Sequence, residues 1–360
     1  MTDDSDRPTD AHALAGAPDS DVAGESPGGD EPSGADDTAD GGEDTPTVSV
    51  VIPTHFRNER LRTALDSVAA QTHPAIETVV VDDSGERHAA PVVADYDARY
   101  LAFDENRGSN VARSAGVAAT SGAYVQLLDD DDRLHPEKLA RQVAVLDANP
   151  AVGVVYCGMR FENGRVVLPD SEARGEVLER ALAFDLYPCQ TTTMLLRRSV
   201  LSPVFPAERR PGGDDLAYMI ELARHTEFDF VSDPLVRRGT GGGEGERSRG
   251  SSLGLYEGRM RLFDEYADLY DAAPAWVRRR ALVGTYLFKG QTLLADRAWS
   301  AGAIAAFARA GWLQRDAYTL GLCLASLGGR PGIALGSAVF DRLSPAVESP
   351  AGTLHGPKQA

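Results

Sequence analysis

The sequence predicts an α/β fold, a Rossmann-like, mostly parallel sheet flanked by helices, followed by an all-α C-terminal region. Three observations carry this. Short β-branched runs alternate with segments of helical period from Val48 onward, the pattern of βαβ units. Several runs end in turn residues or carboxylates, as strands do where an open α/β sheet meets its ligand. From about Leu253 the strand signals stop and only helical periodicity remains.

Val48 to Ile52 is a compact apolar strand stopped by Pro53-Thr54. A helix follows from about Asn58, with Leu61, Leu65, Val68 and Ala69 on one face, and ends before Pro74. Glu77 to Val81 is the second strand and runs into Asp82-Asp83-Ser84-Gly85. Tyr100 to Phe103 is a weaker third strand. Asn106-Arg107-Gly108 then leads into a helix that carries Ala112, Arg113 and Gly116. Tyr124 to Leu128 reads as a buried strand, and four carboxylates follow it without interruption, Asp129, Asp130, Asp131 and Asp132. Like charges this close repel unless water or a cation screens them. Oxygen ligands of this kind suit Mg²⁺ or Mn²⁺. The bland alternative is a solvated acidic turn.

Pro136 suits the first turn of the next helix, on which Leu139, Val143 and Leu146 share a face. Val152 to Cys157 is another strand, and Asn163-Gly164 marks a hairpin turn before Val166-Val167-Leu168. Thr191 to Leu196 is expected to be a strand. Pro211-Gly212-Gly213 opens a helix that starts with Asp214-Asp215, and Phe228 to Val231 is the last strand expected. The boundaries that result are an acidic disordered tail over 1–46, a catalytic-type domain over 47–238, a flexible loop over 239–252, a helical region over 253–346 and a loose tail over 347–360. The loop is expected to close as a lid, with Arg247 or Arg249 reaching an anionic ligand. The helical region is expected to be a bundle rather than a tetratricopeptide-type array.

The chain holds 54 acidic and 36 basic residues, a net charge of −18. Residues 1–47 carry 11 Asp, 3 Glu and one Arg, a formal −13. That stretch has almost no large apolar residues and cannot bury a core. Lysine occurs only at 138, 289 and 358. The Asp-rich, Lys-poor composition is that expected of a salt-loving cell, a halophilic archaeon. The three cysteines make no CxxC pair, so neither a disulfide framework nor a zinc site is expected. No leader and no membrane span are predicted, and a net-negative chain is a poor nucleic-acid binder. The expected setting is the cytoplasm.

Five segments together resemble the glycosyltransferase family 2 enzymes, which have the GT-A fold: Val-Ser-Val-Val-Ile-Pro-Thr (48–54), Val-Val-Val-Asp-Asp-Ser-Gly (79–85), Asn-Arg-Gly with Ala-Arg-Ser-Ala-Gly (106–116), Leu-Asp-Asp-Asp-Asp with Pro-Glu-Lys-Leu (128–139) and Gly-Asp-Asp (213–215). The resemblance runs from about Val48 to Asp233. It implies an inverting transfer of a sugar from a nucleotide-diphospho-sugar to a glycan or lipid-linked acceptor, with metal assistance, at the inner membrane face if the acceptor is lipid-linked. It implies that Pro53 and Thr54 border the donor, that Asp83 binds the base with Asp82 supporting its loop, and that Arg113 lies near the diphosphate. Asp129, Asp130 and Asp131 match the metal motif, with Asp131 in direct contact, and Asp215 matches the catalytic base. The nulls are Asp83 as a turn cap, Asp214-Asp215 as a helix N-cap, and Arg113 as a salt-bridged helix residue. Two departures stand out. Glu221 occupies a place where the family usually has Arg, and no histidine follows His225 before His355 to complete a metal site. The competing readings are a nucleotidyltransferase, which lacks its Gly-rich signature after the first strand here, and a degenerate nucleotide-sugar-binding module that recruits partners through its helices.

Overall fold

In a computed structural model, residues 45–207, 212–239 and 252–343 are described. The expected tails and almost all of the expected lid, including Arg247 and Arg249, lie outside them. The N-terminal part of the order is β1 (Val48–Thr54), α1 (Asn58–Ala69), β2 (Ile76–Asp82), α2 (Ala90–Val93), β3 (Arg99–Ala102), α3 (Ser109–Ala118) and β4 (Tyr124–Leu127). Next come β5 (Arg133–Leu134), α4 (Lys138–Ala148), β6 (Val152–Phe161), β7 (Val166–Val167), α5 (Leu178–Leu182), β8 (Leu195–Arg197), α6 (Asp214–Ala223) and β9 (Glu227–Arg238). Six helices close the chain: α7 (Ser252–Glu265), α8 (Ala267–Ala272), α9 (Ala275–Asp296), α10 (Ala301–Gln314), α11 (Ala317–Ser326) and α12 (Gly329–Leu343).

One sheet has the strand order β3-β2-β1-β4-β8-β6-β9-β5, with β7 beside β6. The pairs β1–β2, β1–β4, β2–β3 and β6–β9 are parallel and make up most of the ladder. β8 runs antiparallel to both β4 and β6 and joins the two halves. Both faces of the central strands are covered, which is why they read as unbroken apolar runs. On β1, Val51 packs into one core cluster while Val48, Val50 and Ile52 pack into the other. On β2, Val79 and Val81 face the first cluster and Val80 the second.

One expected strand is corrected. The segment 191–194 is a turn, and β8 starts only at Leu195. Threonine hydroxyls compete there with the sheet ladder. Thr193 Oγ1 donates to the Pro188 carbonyl at 2.8 Å and accepts from the Gln190 N–H at 2.8 Å. A buried polar network supports this turn from below. Gln126 Nε2 donates to Thr192 O at 2.9 Å, and Gln142 Nε2 donates to Thr193 O at 2.9 Å. The side-chain oxygens of both glutamines accept from the fully buried Lys138 ammonium, Gln142 at 2.6 Å.

The C-terminal helices form no separate body at their start. Leu262, Phe263, Tyr266, Tyr270, Val277 and Ala281 share a core cluster with Ala181, Leu182 and Leu222 of the α/β part. Tyr270 Oη donates to Leu182 O at 2.7 Å, and Arg280 pairs with Asp185 at 2.8 Å. The outer part of α9 packs with α10 and α11 around Phe307 in a smaller cluster of its own. Among the described residues no helix is long and apolar enough to cross a membrane.

Two stability predictions follow from this packing. A Cβ at Gly116 would stand 2.3 Å from Val51 Cγ1, so α3 lies on β1 as closely as a glycine permits. Gly116→Val is expected to lose about 3 kcal/mol in urea denaturation. A loss below about 1 kcal/mol would mean that α3 is not seated there. Burial holds the Lys138 ammonium down at about 8, from an ordinary 10.5. Between those values the unfolded chain binds more protons than the folded one, so the burial penalty fades as pH rises from 8 to 10.5. Stability of the wild type relative to Lys138→Met should therefore climb by up to about 3 kcal/mol across that window. A flat difference would refute the buried charge.

Candidate active site

The carboxylate run leaves β4 as a turn, closed by the Asp132 N–H donating to Asp129 O at 3.1 Å. The turn divides the four side chains. Asp129, Asp131 and Asp132 each bring a carboxylate oxygen to one spot, all within 4.8 Å of one another. Asp130 points elsewhere, accepting from Thr54 Oγ1 at 2.8 Å and from Arg57 Nη1 at 3.0 Å. Asp131 is also approached by Arg57 Nη1 at 3.5 Å and Arg60 Nη1 at 3.4 Å. The donor set that could hold a hard divalent cation thus adds Asp132 to the sequence expectation and turns Asp130 away from it. Three carboxylate oxygens at this spacing fit Mg²⁺ or Mn²⁺, which coordinate oxygen.

The electrostatics follow from burial against nearby guanidiniums. Burial pushes Asp130 up to about 6 despite Arg57 and Thr54. Burial, then the charge of Asp129, pushes Asp132 up to about 7. Asp131 is raised for the same two reasons. Asp129 goes the other way. Burial works against its charge, but Arg113 beside it, helped by Arg238 and Arg57, holds it below the usual carboxylate range. Arg113 Nη2 donates to Asp129 Oδ1 at 2.7 Å from a buried position on α3. Its Nη1 donates to Asn110 Oδ1 at 3.2 Å, which also accepts from Tyr218 Oη at 2.8 Å. The salt-bridged alternative therefore describes Arg113, but the bridge is to the carboxylate run itself.

Asp215 is close enough to Asp129, Arg113 and Arg238 for their charges to act on it. Gly213, in the left-handed region at φ 83°, is the residue before α6, so Asp214 and Asp215 occupy the first helical turn rather than the cap. Negative charge there complements the helix dipole. The Asp215 carboxyl is raised by burial, with Arg113 opposing and Asp129 reinforcing. Asp129 is far from Asp215 in the sequence, and tertiary folding brings its charge to bear. Thr191 hydrogen-bonds Asp215, and Thr192 Oγ1 accepts the Asp129 N–H at 3.3 Å. The corrected turn at 191–194 thus supplies hydroxyls to the site. Arg238, at the end of β9, has Asp132, Asp129 and Asp215 around it, and these hold its guanidinium charged against burial.

The carboxyl ends of β1 and β2 adjoin this region. Pro53 and Thr54 pair in register with Val81 and Asp82. Both Asp82 oxygens are taken, by the N–H groups of Ser84 at 2.9 Å and Ala89 at 2.7 Å and by Tyr100 Oη at 2.7 Å. Burial works against the Asp82 charge, yet these donors hold it below the usual range. The Asp83 carboxylate accepts from the N–H groups of Arg107 at 2.6 Å and Gly108 at 2.8 Å. Asp83 therefore closes the loop ahead of α3, as a turn cap would.

The sequence reading missed Arg57, Arg60, Arg238, Asp132, Thr191 and Thr192 as site residues. It also missed Gly258 of α7. A Cβ there would stand 2.3 Å from the Gly212 carbonyl, so the loop that launches Asp215 lies directly on a C-terminal helix. The only sequence signal was a glycine inside a helical pattern.

Comparisons with known proteins agree with this architecture. Residues 49–205 match the model of the family described as Glycosyl transferase family 2. An uncharacterized glycosyltransferase of Nostoc sp. is 32% identical over 174 residues, 45% of this chain and 54% of that protein. Glycosyltransferase AglE of Haloferax volcanii is 27% identical over 180 residues, 47% of this chain and 59% of that protein. The succinoglycan biosynthesis protein ExoO of Rhizobium meliloti is 35% identical over 106 residues, 29% of this chain and 30% of that protein. The chain thus spans about half, or less, of the length of these relatives. Among solved structures, S. aureus TarS 1-349 in complex with UDP-GlcNAc superposes with a TM-score of 0.57 over 83% of this chain and 91% of that one, at 18% identity. That likeness is one of fold. Residues 49–205 of this chain thus match the Glycosyl transferase family 2 model, within a GT-A-like fold.

Proposed function

We propose that this protein transfers a sugar from a nucleoside-diphosphate sugar to a glycan or lipid-linked acceptor, with inversion at the anomeric carbon. The observation that carries this reading is the set of charged groups gathered past the carboxyl ends of β1 and β4. There the charges of Asp129 and Asp215 both act on Arg113 and Arg238, beside a three-carboxylate cluster. The likeness to the succinoglycan biosynthesis protein ExoO and to glycosyltransferase AglE supports a glycan-building role.

In this reading Pro53, Thr54, Asp82 and Asp83 border the nucleoside, and Asp83 exchanges its bonds to the 107–108 loop for the base. Asp131, with Asp129 and Asp132, would hold Mg²⁺ or Mn²⁺, which supplies electrostatic stabilisation of the diphosphate as negative charge builds on it. Asp130 keeps Thr54 and Arg57 in place. Arg57 and Arg60, which pair with Asp131 beside the cluster, turn towards phosphate oxygens in this reading. Asp215 accepts the proton of the acceptor hydroxyl, whose oxygen bonds to the anomeric carbon as the bond from that carbon to the diphosphate oxygen breaks. A carboxyl raised by burial suits a general base.

Calorimetric titration with UDP, GDP and dTDP at high salt, with and without Mn²⁺, tests the donor site. One nucleotide should bind, and binding should require both the cation and Asp131, being lost in Asp131→Asn. Absence of binding by every nucleotide would overturn the reading. Asp215→Asn should keep nucleotide binding and lower kcat by about 10² to 10⁴-fold. Binding with no turnover in the wild type would instead mark a degenerate binding module. Gly258→Ala should lower kcat by about 10 to 100-fold with nucleotide affinity kept, since it displaces the Asp215 loop and leaves the cation cluster alone. Unchanged kcat would show that α7 has no part in setting that loop.

A further inference from the structure

The far edge of the sheet brings three arginines into one row. Arg133 on β5 is the registered partner of Arg237 on β9, and Arg237 is the registered partner of Arg160 on β6. All three are exposed. They line a groove of about 490 Å³ beside α1, together with His135 and Ser67. Like charges directly opposite one another on neighbouring strands are destabilising, and this chain has 54 acidic residues with which to neutralise them. Other exposed arginines have found carboxylates, as in Arg62–Asp95, Arg141–Asp233 and Arg224–Glu221. Among the described residues, none of the three in the row pairs with a carboxylate or donates a side-chain hydrogen bond. The one carboxylate in the groove, Asp66, accepts from Tyr96 Oη at 2.6 Å.

This groove is separate from the candidate active site. Successive side chains of a strand leave it on opposite faces. Arg238 turns to Asp132, Asp129 and Asp215, so its neighbour Arg237 leaves β9 on the other side. None of Asp129, Asp131, Asp132 or Asp215 lines the groove.

We infer that this row is a second anion-binding site, built for a phosphate-bearing ligand such as a diphosphate or a phosphorylated lipid headgroup. Neighbouring strands lie about 4.8 Å apart, so the row spans about 10 Å, enough for more than one phosphoryl group. Guanidinium forks match phosphate oxygens two at a time. Bound anion would remove the mutual repulsion of the row, which is the physical reason for the strands to keep it. The site needs no divalent cation, unlike the carboxylate cluster.

The test is calorimetry of the full chain with inorganic pyrophosphate in EDTA, where the carboxylate cluster, lacking a cation, repels the probe. The wild type should bind. Arg160→Gln/Arg237→Gln should weaken binding by about 10-fold or more. The charge-matched control Arg261→Gln/Arg279→Gln should stay within about 3-fold, since it changes only the screened surface field. Asp131→Asn should leave metal-free binding in place, so failure of the transferase reading and failure of this one are separately visible. Absence of wild-type binding, or equal weakening in the control, would overturn the inference. Both double variants alter exposed side chains, and circular dichroism checks that each has folded. Co-sedimentation with phosphatidylcholine vesicles, with and without phosphatidic acid, separates the sources. Pelleting that needs both phosphatidic acid and the arginine row identifies a lipid phosphate. Pyrophosphate binding without pelleting identifies a soluble one.

Discussion

Four consecutive carboxylates at the end of one buried strand are the constraint around which this molecule is arranged. Left together and buried they would repel one another, and the upward shifts of Asp130, to about 6, and Asp132, to about 7, show that burial and mutual charge are only partly offset. The fold manages them in two ways. The turn at 129–132 sends Asp130 to Thr54 and Arg57 and gathers the other three. Guanidiniums from α3, from the end of β9 and from the segment after β1 then approach the group. The result is a cluster whose charge is offset only in part by the guanidiniums around it.

Positions around that cluster are set by parts of the chain that never touch it. Lys138, buried between Gln126 and Gln142, holds two carbonyls of the threonine turn through those glutamines. The turn in turn offers hydroxyls to Asp129 and Asp215. Replacing a lysine there is not a surface change, because both glutamine oxygens would lose their donor inside the core. The C-terminal helices act in the same way from another direction. α7 to α9 share a core with α5 and α6, and Gly258 lets the Gly212 backbone rest directly on α7. A helical region that composition alone would assign to a separate bundle is therefore part of what aims Asp215.

Legibility in the sequence tracks locality. β1, β2, β4 and the helices α1 and α3 were readable because each is a continuous apolar run or a helical face with its own stop signal. Thr191 to Leu196 misled because β-branched residues favour strands only when their hydroxyls have no nearer partner, and Thr193 has the Pro188 carbonyl. Asp83 was legible as a carboxylate just past β2, but its bonds to the 107–108 loop were not, since they close 24 and 25 residues away. Arg57, Arg60 and Arg238 look like any surface arginine in one dimension. Their meaning comes from burial against carboxylates contributed by a different strand.

By itself the sequence determined which elements form, where the first strands end, and that carboxylates collect at one edge of a sheet. These follow from short-range periodicity, backbone propensity and the repulsion within a run of four acids. Only the tertiary structure decided how those acids are divided, which arginines face them and which form a row on the opposite side of β9. It also decided that burial, reinforced by Asp129, raises Asp215. Those outcomes depend on side chains brought within a few ångströms by strand register and by the antiparallel insertion of β8, and no local pattern encodes a distance between residues that far apart in the chain.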